Sequence, residues 1–360
     1  MRILITGGAG FIGRYFCEHL AAKGIAFDIL DLVKPSFDVG SANCTVGDVR
    51  DPAAVAAALR GCDRVLHLAA AHHDFGIEHD TYYDVNQNGS RTLCKAMDDA
   101  GITECAFFSS VAVYGDAPEP HHEHSPKDPK HPYGGSKLAG EKVFEEWIAK
   151  DGSRRCLVIR PTITFGPRNF ANMYSLIRQI DSGRFARVGK GDNVKSLSYV
   201  ENIVAATMFL WEKRWAEPAA PAIDVFNFVE KPDLTSAEIA GQIYQSLGKK
   251  QWPCAVPMWL ALLGALPFDI VIKLTGKNLP VSSMRIKKLF AMRTMFEADK
   301  LGAAGWKSPI PLKTGLDRMT RWYLAEGKTQ PAVWRVPPAQ IGGELNYAKM
   351  GGKAEGPATA

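Results

Sequence analysis

Three residues in this chain can do acid–base work on an alcohol: Ser110, Tyr133 and Lys137. Tyr133 and Lys137 stand four apart, so on a helix they share a face. A free phenol titrates near 10 and is a poor base at neutral pH, but a neighbouring ammonium favours its phenolate. Lowering that pKa by about 3 units asks for roughly 4 kcal/mol of differential stabilisation. One close cation in a partly dry site, helped by the positive end of a helix, can supply it. Ser110 follows the apolar run Ala106-Phe107-Phe108, at the C-terminal end of a predicted strand. There its hydroxyl can hold a substrate oxygen that alternates between alcohol and ketone. The set suits proton transfer coupled to hydride movement at one carbon. Tyr-x-x-x-Lys alone recurs by chance as a helical surface pair, so its weight comes from the elements around it.

The first of these is Met1–Asp31. A short apolar run, Ile3–Thr6, enters a turn with Gly7, Gly8, Gly10 and Gly13; a helical pattern over Tyr15–Lys23 follows, and a second apolar run ends in Asp31. Glycines let the backbone approach a pyrophosphate, and the helix N-terminus offers unpaired N–H groups and a positive dipole end. Asp31, about 20 residues past the turn, can take both hydroxyls of an adenosine ribose and would repel a 2′-phosphate. The expected cofactor is therefore NAD rather than NADP. Phe11 and Ile12 lie in the same turn. Asp48 and Val49 close the next predicted strand, and Leu68-Ala69-Ala70 close the one after, all on the ligand-binding edge of such a sheet. Asp48 suits either the adenine amino group or a helix N-cap.

Strand and helix patterns alternate to about residue 160, which predicts an α/β fold: a Rossmann-type doubly wound parallel sheet with right-handed crossovers. Beyond about Asn169 the alternation loosens and prolines multiply, predicting a smaller C-terminal α/β substrate-binding region. The expected division is 1–168, with 199–228 returning to it, then 169–198 with 229–326, then a disordered tail over 327–360. Of 360 residues, 46% are hydrophobic and 22% charged, and the net charge is +5. That surplus, with no basic stripe between aromatics, argues against nucleic acid and is compatible with weak attraction to an anionic membrane. Seven cysteines without a Cys-x-x-Cys pair fit reduced thiols in a cytoplasmic protein. The short first apolar run leads straight into the glycine turn, unlike a signal peptide. His121, His122 and His124 sit in a Pro-rich stretch with no partner cluster, so the reading is a solvated loop and no metal. In the apolar run 256–274, Pro267, Asp269 and Lys273 leave only about ten clean residues, too few to span a bilayer.

TGGAGFIG, GDVRD, HLAA, SSVAVYG, YGGSK and RPTITFGP together resemble the extended short-chain dehydrogenase/reductases, from Met1 to about Tyr323. The resemblance implies Gly7, Gly10 and Gly13 at the pyrophosphate, Asp31 at the ribose, Asp48 at the adenine, and Ser110, Tyr133 and Lys137 as the catalytic set. It also favours a homodimer through the helices at about 83–100 and 133–149. Val111 and Ala112 replace the two carboxylates that sugar-nucleotide 4,6-dehydratases carry, which excludes that dehydration. Ile163 and Lys195 replace an asparagine and an arginine that many UDP-sugar epimerases use. His72-His73-Asp74, YYDVNQNGSRT, NMYSLIRQIDSGRF and FDIVIKLTGKNLPVSSMRIKK are more similar to the bacterial N-acetylglucosaminyl-diphospho-undecaprenol 4-epimerases.

That resemblance implies NAD-dependent C4 epimerisation of a HexNAc on a sugar diphosphate, lipid-linked in the first reading and UDP-linked in the second, in polysaccharide biosynthesis. His72, His73, Asn86, Asn172 and Lys195 are the candidate substrate residues. The apolar 256–274 run and the basic Arg285–Lys288 would then be a peripheral patch at the inner face of the cytoplasmic membrane, or else a packed helix pair over the sugar site. A net reductase of 4-keto sugars or of 3β-hydroxysteroid type is the alternative chemistry, and a non-catalytic NAD sensor the alternative class.

Overall fold

The structure is a computed structural model that describes residues 1–330 except 73–77, 116–118, 218–220, 252–254, 276–281 and 291. Seven short apolar runs become seven strands: β1 (Arg2–Thr6), β2 (Ala26–Asp31), β3 (Cys44–Val46), β4 (Arg64–His67), β5 (Glu104–Phe108), β6 (Arg155–Pro161) and β7 (Ile223–Phe228). They pair in the order β7-β6-β5-β4-β1-β2-β3, every pair parallel. The order reverses between β1 and β4, and ligands of such sheets bind at that switch, beyond the strand C-termini. Central strands are apolar on both faces, as Ile3, Leu4 and Ile5 show, because helices cover both sides.

The helices are α1 (Phe11–Ala22), α2 (Pro52–Ala58), α3 (His79–Tyr83), α4 (Gly89–Asp99), α5 (Pro132–Ala149), α6 (Asn172–Asp181), α7 (Val200–Ala216), α8 (Ser236–Ser246), α9 (Met258–Thr275), α10 (Ser283–Phe290), α11 (Asp299–Ala303) and α12 (Leu312–Trp322). A five-residue π-helical stretch, Asp84–Asn88, joins α3 to α4. On one face of the sheet Phe16 and Leu20 of α1 pack with Ile203 and Trp211 of α7. On the other, Met97 of α4 packs with Phe144 and Trp147 of α5. A separate core joins Ile177 of α6, Ile243 of α8 and Leu316 and Met319 of α12.

Both sheet edges are blunt. β3 has three residues, and on β7 the Lys300 ammonium of α11 donates to the Asp224 carboxylate and to the Val225 carbonyl oxygen.

Three expectations change. From Met258 on, the run 256–274 lies in one continuous helix of 18 residues, α9, that carries Pro267 inside it. A proline removes one helical hydrogen bond, and an exposed helix can continue past it. His121 does not sit in a solvated loop: it is 2% exposed, stacks on Tyr114 at 5.1 Å and packs against Phe296 at 5.2 Å. The expected tail begins in ordered chain, with Gly327 ending the π-helical stretch Tyr323–Gly327 and residues 328–330 following as a turn, and its remainder lies outside the described residues.

Candidate active site

The glycine turn is shaped by close approach. Gly7 has φ +74°, and a Cβ there would stand 2.7 Å from the Ala69 nitrogen, so only glycine lets β1 end against the Leu68–Ala69 strand exit. No side chain caps the α1 N-terminus at Gly10. Its first N–H groups are therefore available to an anion. Asp31, at the end of β2, accepts a hydrogen bond from the Ala9 N–H at 2.9 Å, which aims one carboxylate oxygen along the turn. An anion cradle beside a hydroxyl-binding carboxylate fits a dinucleotide.

Asp48 is 5% exposed and is not the N-cap of α2. That cap is Asp51, which accepts from the Ala53 N–H at 2.9 Å. Asp48 accepts instead from the Arg50 N–H at 2.7 Å and from Arg50 Nε at 3.1 Å, and Arg50 continues to Asp84. Val49 is packed under Gly89.

Ser110 follows β5, and its Oγ accepts from the Ala112 N–H at 3.1 Å, bending the chain into a single 3₁₀ turn over Val111–Val113. This turn meets the start of α5. A Cβ on Gly134 would stand 2.4 Å from the Ala112 carbonyl oxygen, so that glycine lets the serine turn and the Tyr133–Lys137 turn touch. His131 caps α5 by accepting from the Tyr133 N–H at 3.2 Å, and Pro132 starts it. The Tyr133 ring is half-buried, 6.5 Å from the ring of Tyr82.

Lys137 is 3% exposed and its Nζ donates to the Phe108 carbonyl oxygen at 2.6 Å. Burial pushes its pKa down to about 7, while Glu141 pulls the other way. The sequence reading gave Lys137 a plain ammonium; in the fold its charge is poised near neutrality because β5 and α5 exclude water from it. Between pH 7 and 10.5 the unfolded chain keeps a proton that the folded one has released, so stability rises with pH across that window. The cost of the buried site at neutral pH is on the order of 4 kcal/mol at 1.36 kcal/mol per unit. Lys137→Met in NAD-free protein should therefore melt higher than wild type at pH 6–7, the two curves converging towards pH 10. Parallel melting curves over that range would refute the shift.

Asn86, which the sequence offered as a substrate contact, is 1% exposed and its carboxamide is spent inside the fold. It accepts from the Ala71 N–H at 2.8 Å and donates to the Ala71 carbonyl at 3.0 Å and to Ser136 Oγ at 2.8 Å. The π stretch thus fastens the loop after β4 to α5. His67, at the end of β4, lies between Thr6 and Ser90, and burial with the nearby Lys137 charge holds its pKa down to about 3.

The other candidates do not converge. His72 is exposed, with Nδ1 3.3 Å from the Ala70 carbonyl oxygen, and Asn172 is exposed at the first turn of α6. Lys195 donates to the Met292 carbonyl oxygen at 2.8 Å. His73 lies outside the described residues.

Sequence reasoning missed a buried network behind the site. Arg160, 1% exposed, donates from Nε at 2.8 Å and Nη2 at 2.6 Å to the two oxygens of Glu141, and from Nη1 to the Tyr114 hydroxyl at 2.8 Å. Tyr114 donates to Asn227 at 2.7 Å, and Ser109 Oγ donates to Glu141. Burial opposes the Arg160 charge, but its hydrogen bonds and ion pair with Glu141 more than offset this and raise its pKa. The available signal was an arginine closing the apolar run Cys156–Ile159 and a glutamate one helical turn after Lys137.

A doubly wound sheet with an open helix N-terminus at its switch point, and with serine, tyrosine and lysine on touching turns, defines a dinucleotide-binding α/β protein. The chain belongs to the NAD dependent epimerase/dehydratase family, whose model matches residues 3–225. It is 39% identical to the N-acetyl-alpha-D-glucosaminyl-diphospho-ditrans,octacis-undecaprenol 4-epimerase of Escherichia coli O157:H7, over 91% of this chain and 96% of the relative. It is 29% identical to a UDP-glucose 4-epimerase of Vibrio cholerae, over 89% of this chain and 95% of the relative. Among solved structures, a Thermus thermophilus UDP-glucose 4-epimerase complex with NAD superposes with a TM-score of 0.69 at 22% identity, covering 91% of this chain and 100% of that one. At that identity the likeness speaks for the fold.

Proposed function

We propose that this protein is an NAD-dependent C4 epimerase of a HexNAc sugar carried on a polyprenyl diphosphate. The observation that supports the reading is the contact of the Ser110 turn with the first turn of α5 at Gly134, which brings the two segments that carry the hydroxyl, the phenol and the buried amine against each other. The relative at 39% identity supplies the substrate class. NAD, when bound, supplies a reversible hydride acceptor. Gly7, Gly10, Phe11, Ile12 and Gly13 would hold its pyrophosphate and Asp31 its adenosine ribose, with Asp48, Val49, Leu68, Ala69 and Ala70 around its adenine half. Tyr133 takes the proton from the C4 hydroxyl and returns it after the sugar has presented its other face. Ser110 holds the same oxygen in both states, and Lys137 sets the charge beside the phenol and steadies the nicotinamide ribose. Residues 1–168 and 199–228 form the cofactor half, and 169–198 and 229–326 the substrate half, with Lys195 at the diphosphate. Two copies pair through α4 and α5, whose exposed Arg91 and Lys95 on one helix complement Glu145 and Glu146 on the other. The site of action is the inner face of the cytoplasmic membrane, where such carriers are anchored.

The deciding experiment gives the purified protein lipid-linked GlcNAc and UDP-GlcNAc separately, without added reductant, and identifies the sugars. Conversion of the lipid-linked sugar to its GalNAc epimer with no net change in NADH absorbance is expected. Conversion of UDP-GlcNAc alone removes the lipid-linked reading. Stoichiometric NADH change replaces the epimerase by a net oxidoreductase.

A further inference from the structure

Helix α9 breaks the rule for a surface helix. Met258, Ala261, Ala265, Asp269 and Ile272 turn inward at helical spacing and are buried or half-buried. The opposite face of a soluble helix is normally polar. Here that face carries Trp259, Leu263, Leu266, Ile270 and Leu274, all exposed, Trp259 at 68% and Leu274 at 79%. Helix α10 folds back beside it, the Ser283 N–H donating to the Asp269 carboxylate at 3.0 Å. Met284 on α10 is exposed as well, at 69%. Contiguous apolar surface of this kind marks a place where something else is met.

We propose that the α9–α10 hairpin is a membrane-interface element, with α9 lying parallel to an anionic bilayer and its exposed stripe in the acyl boundary. Three observations favour lipid over another occupant. The stripe is aliphatic and aromatic along the whole helix, with a tryptophan near one end, as interfacial helices are built. Among the described residues of the hairpin, the exposed cations Lys273 and Lys287 suit a surface of anionic headgroups. The hairpin also leaves and re-enters the protein at one place. At its entry the Val256 N–H donates to the Arg187 carbonyl and the Val256 carbonyl accepts from Gly189. At its exit the Thr294 N–H donates to the Val194 carbonyl and the Thr294 carbonyl accepts from Ser196. With both roots on segment 187–196, and with α10 folding back beside it, α9 leaves and returns on one side of the protein, which suits a helix lying on the membrane rather than crossing it.

The same roots hold Lys195, whose Nζ bonds the Met292 carbonyl on the returning segment. A hairpin seated in the interface therefore keeps Lys195 beside the surface from which a lipid diphosphate projects. This coupling rests on the substrate reading above; the membrane contact does not.

The test is sedimentation of the full-length protein with phosphatidylcholine vesicles, with and without phosphatidylglycerol. Wild type is compared with the triple variant Leu263→Glu/Ile270→Glu/Leu274→Glu, which alters exposed side chains only. Wild type should pellet with the anionic vesicles, and the variant at least tenfold less, with an unchanged thermal midpoint and an unchanged rate on a water-soluble HexNAc diphosphate. Equal pelleting of both proteins overturns the proposal. So does failure of wild type to pellet while the variant turns a wild-type dimer into a monomer on size exclusion, because a second copy then covers the face. If wild type pellets, the variant does not, and no lipid-linked sugar is turned over, the membrane element stands and the substrate reading falls. Full turnover of vesicle-borne substrate by the non-pelleting variant overturns the coupling.

Discussion

Tyr133→Phe is expected to lower turnover by about 10²–10⁴-fold, the range that one positioned acid–base group contributes. The fold and the cofactor content should be unchanged. The substituted ring keeps its edge contact with Tyr82, and the α5 cap runs through the Tyr133 backbone N–H, which phenylalanine also provides. What disappears is the hydroxyl that the proposed mechanism uses to shuttle the proton at C4. The measurement is a rate on whichever sugar diphosphate the wild type converts, together with the NAD(H) recovered from denatured protein. A variant within threefold of wild type would remove Tyr133 from the chemistry and with it the epimerase reading. One that lost NAD along with activity would recast the residue as part of the cofactor cradle.

The second large effect concerns stability. Glu141→Gln keeps the shape of the side chain and removes its charge, leaving the Arg160 guanidinium 1% exposed without an anionic partner. Breaking a buried pair in this way costs about 3–5 kcal/mol. For a domain of this size class that is on the order of 10 °C in Tm, at about 2–4 °C per kcal/mol. The loss should be partly recovered in Glu141→Leu/Arg160→Met, where neither member of the pair carries a buried charge. A single variant that melts within 2 °C of wild type would mean that the pair is dispensable. The expected loss reaches the site as well, because Glu141 accepts from Ser109, the neighbour of Ser110, and stands one turn after Lys137.

The parts of this protein that could be read from its sequence are those whose partners are close in the chain. The glycine turn, the α1 helix and Asp31 are one local unit, and Tyr133 and Lys137 share one helix face. The network around Arg160 was not readable, since its members come from β6, α5, the turn after β5 and β7, and only the sheet order brings them together. Tyr114 and Asn227, for instance, are 113 residues apart. Arg160 entered the sequence reading as the start of a Pro-containing segment, although a guanidinium at the end of an apolar strand demands a buried carboxylate. His121 was misjudged for a similar reason: its composition is that of a loop, while Tyr114 and Phe296 make it part of a core. Helix α9 is longer than its sequence suggests because Pro267, Asp269 and Lys273 look like breaks in the apolar run, whereas Asp269 turns inward to meet α10 and the proline sits on the exposed side.

The two blunt sheet edges bear on how copies of this protein can live together. A three-residue β3 offers little to extend, and on β7 a lysine already occupies the carbonyl of Val225. Neither edge is a template for a further strand. Across these two edges, association has to run through side chains, and the main-chain hydrogen bonds of the sheet stay within each copy. Subunits joined there can part without leaving a strand of the sheet unpaired.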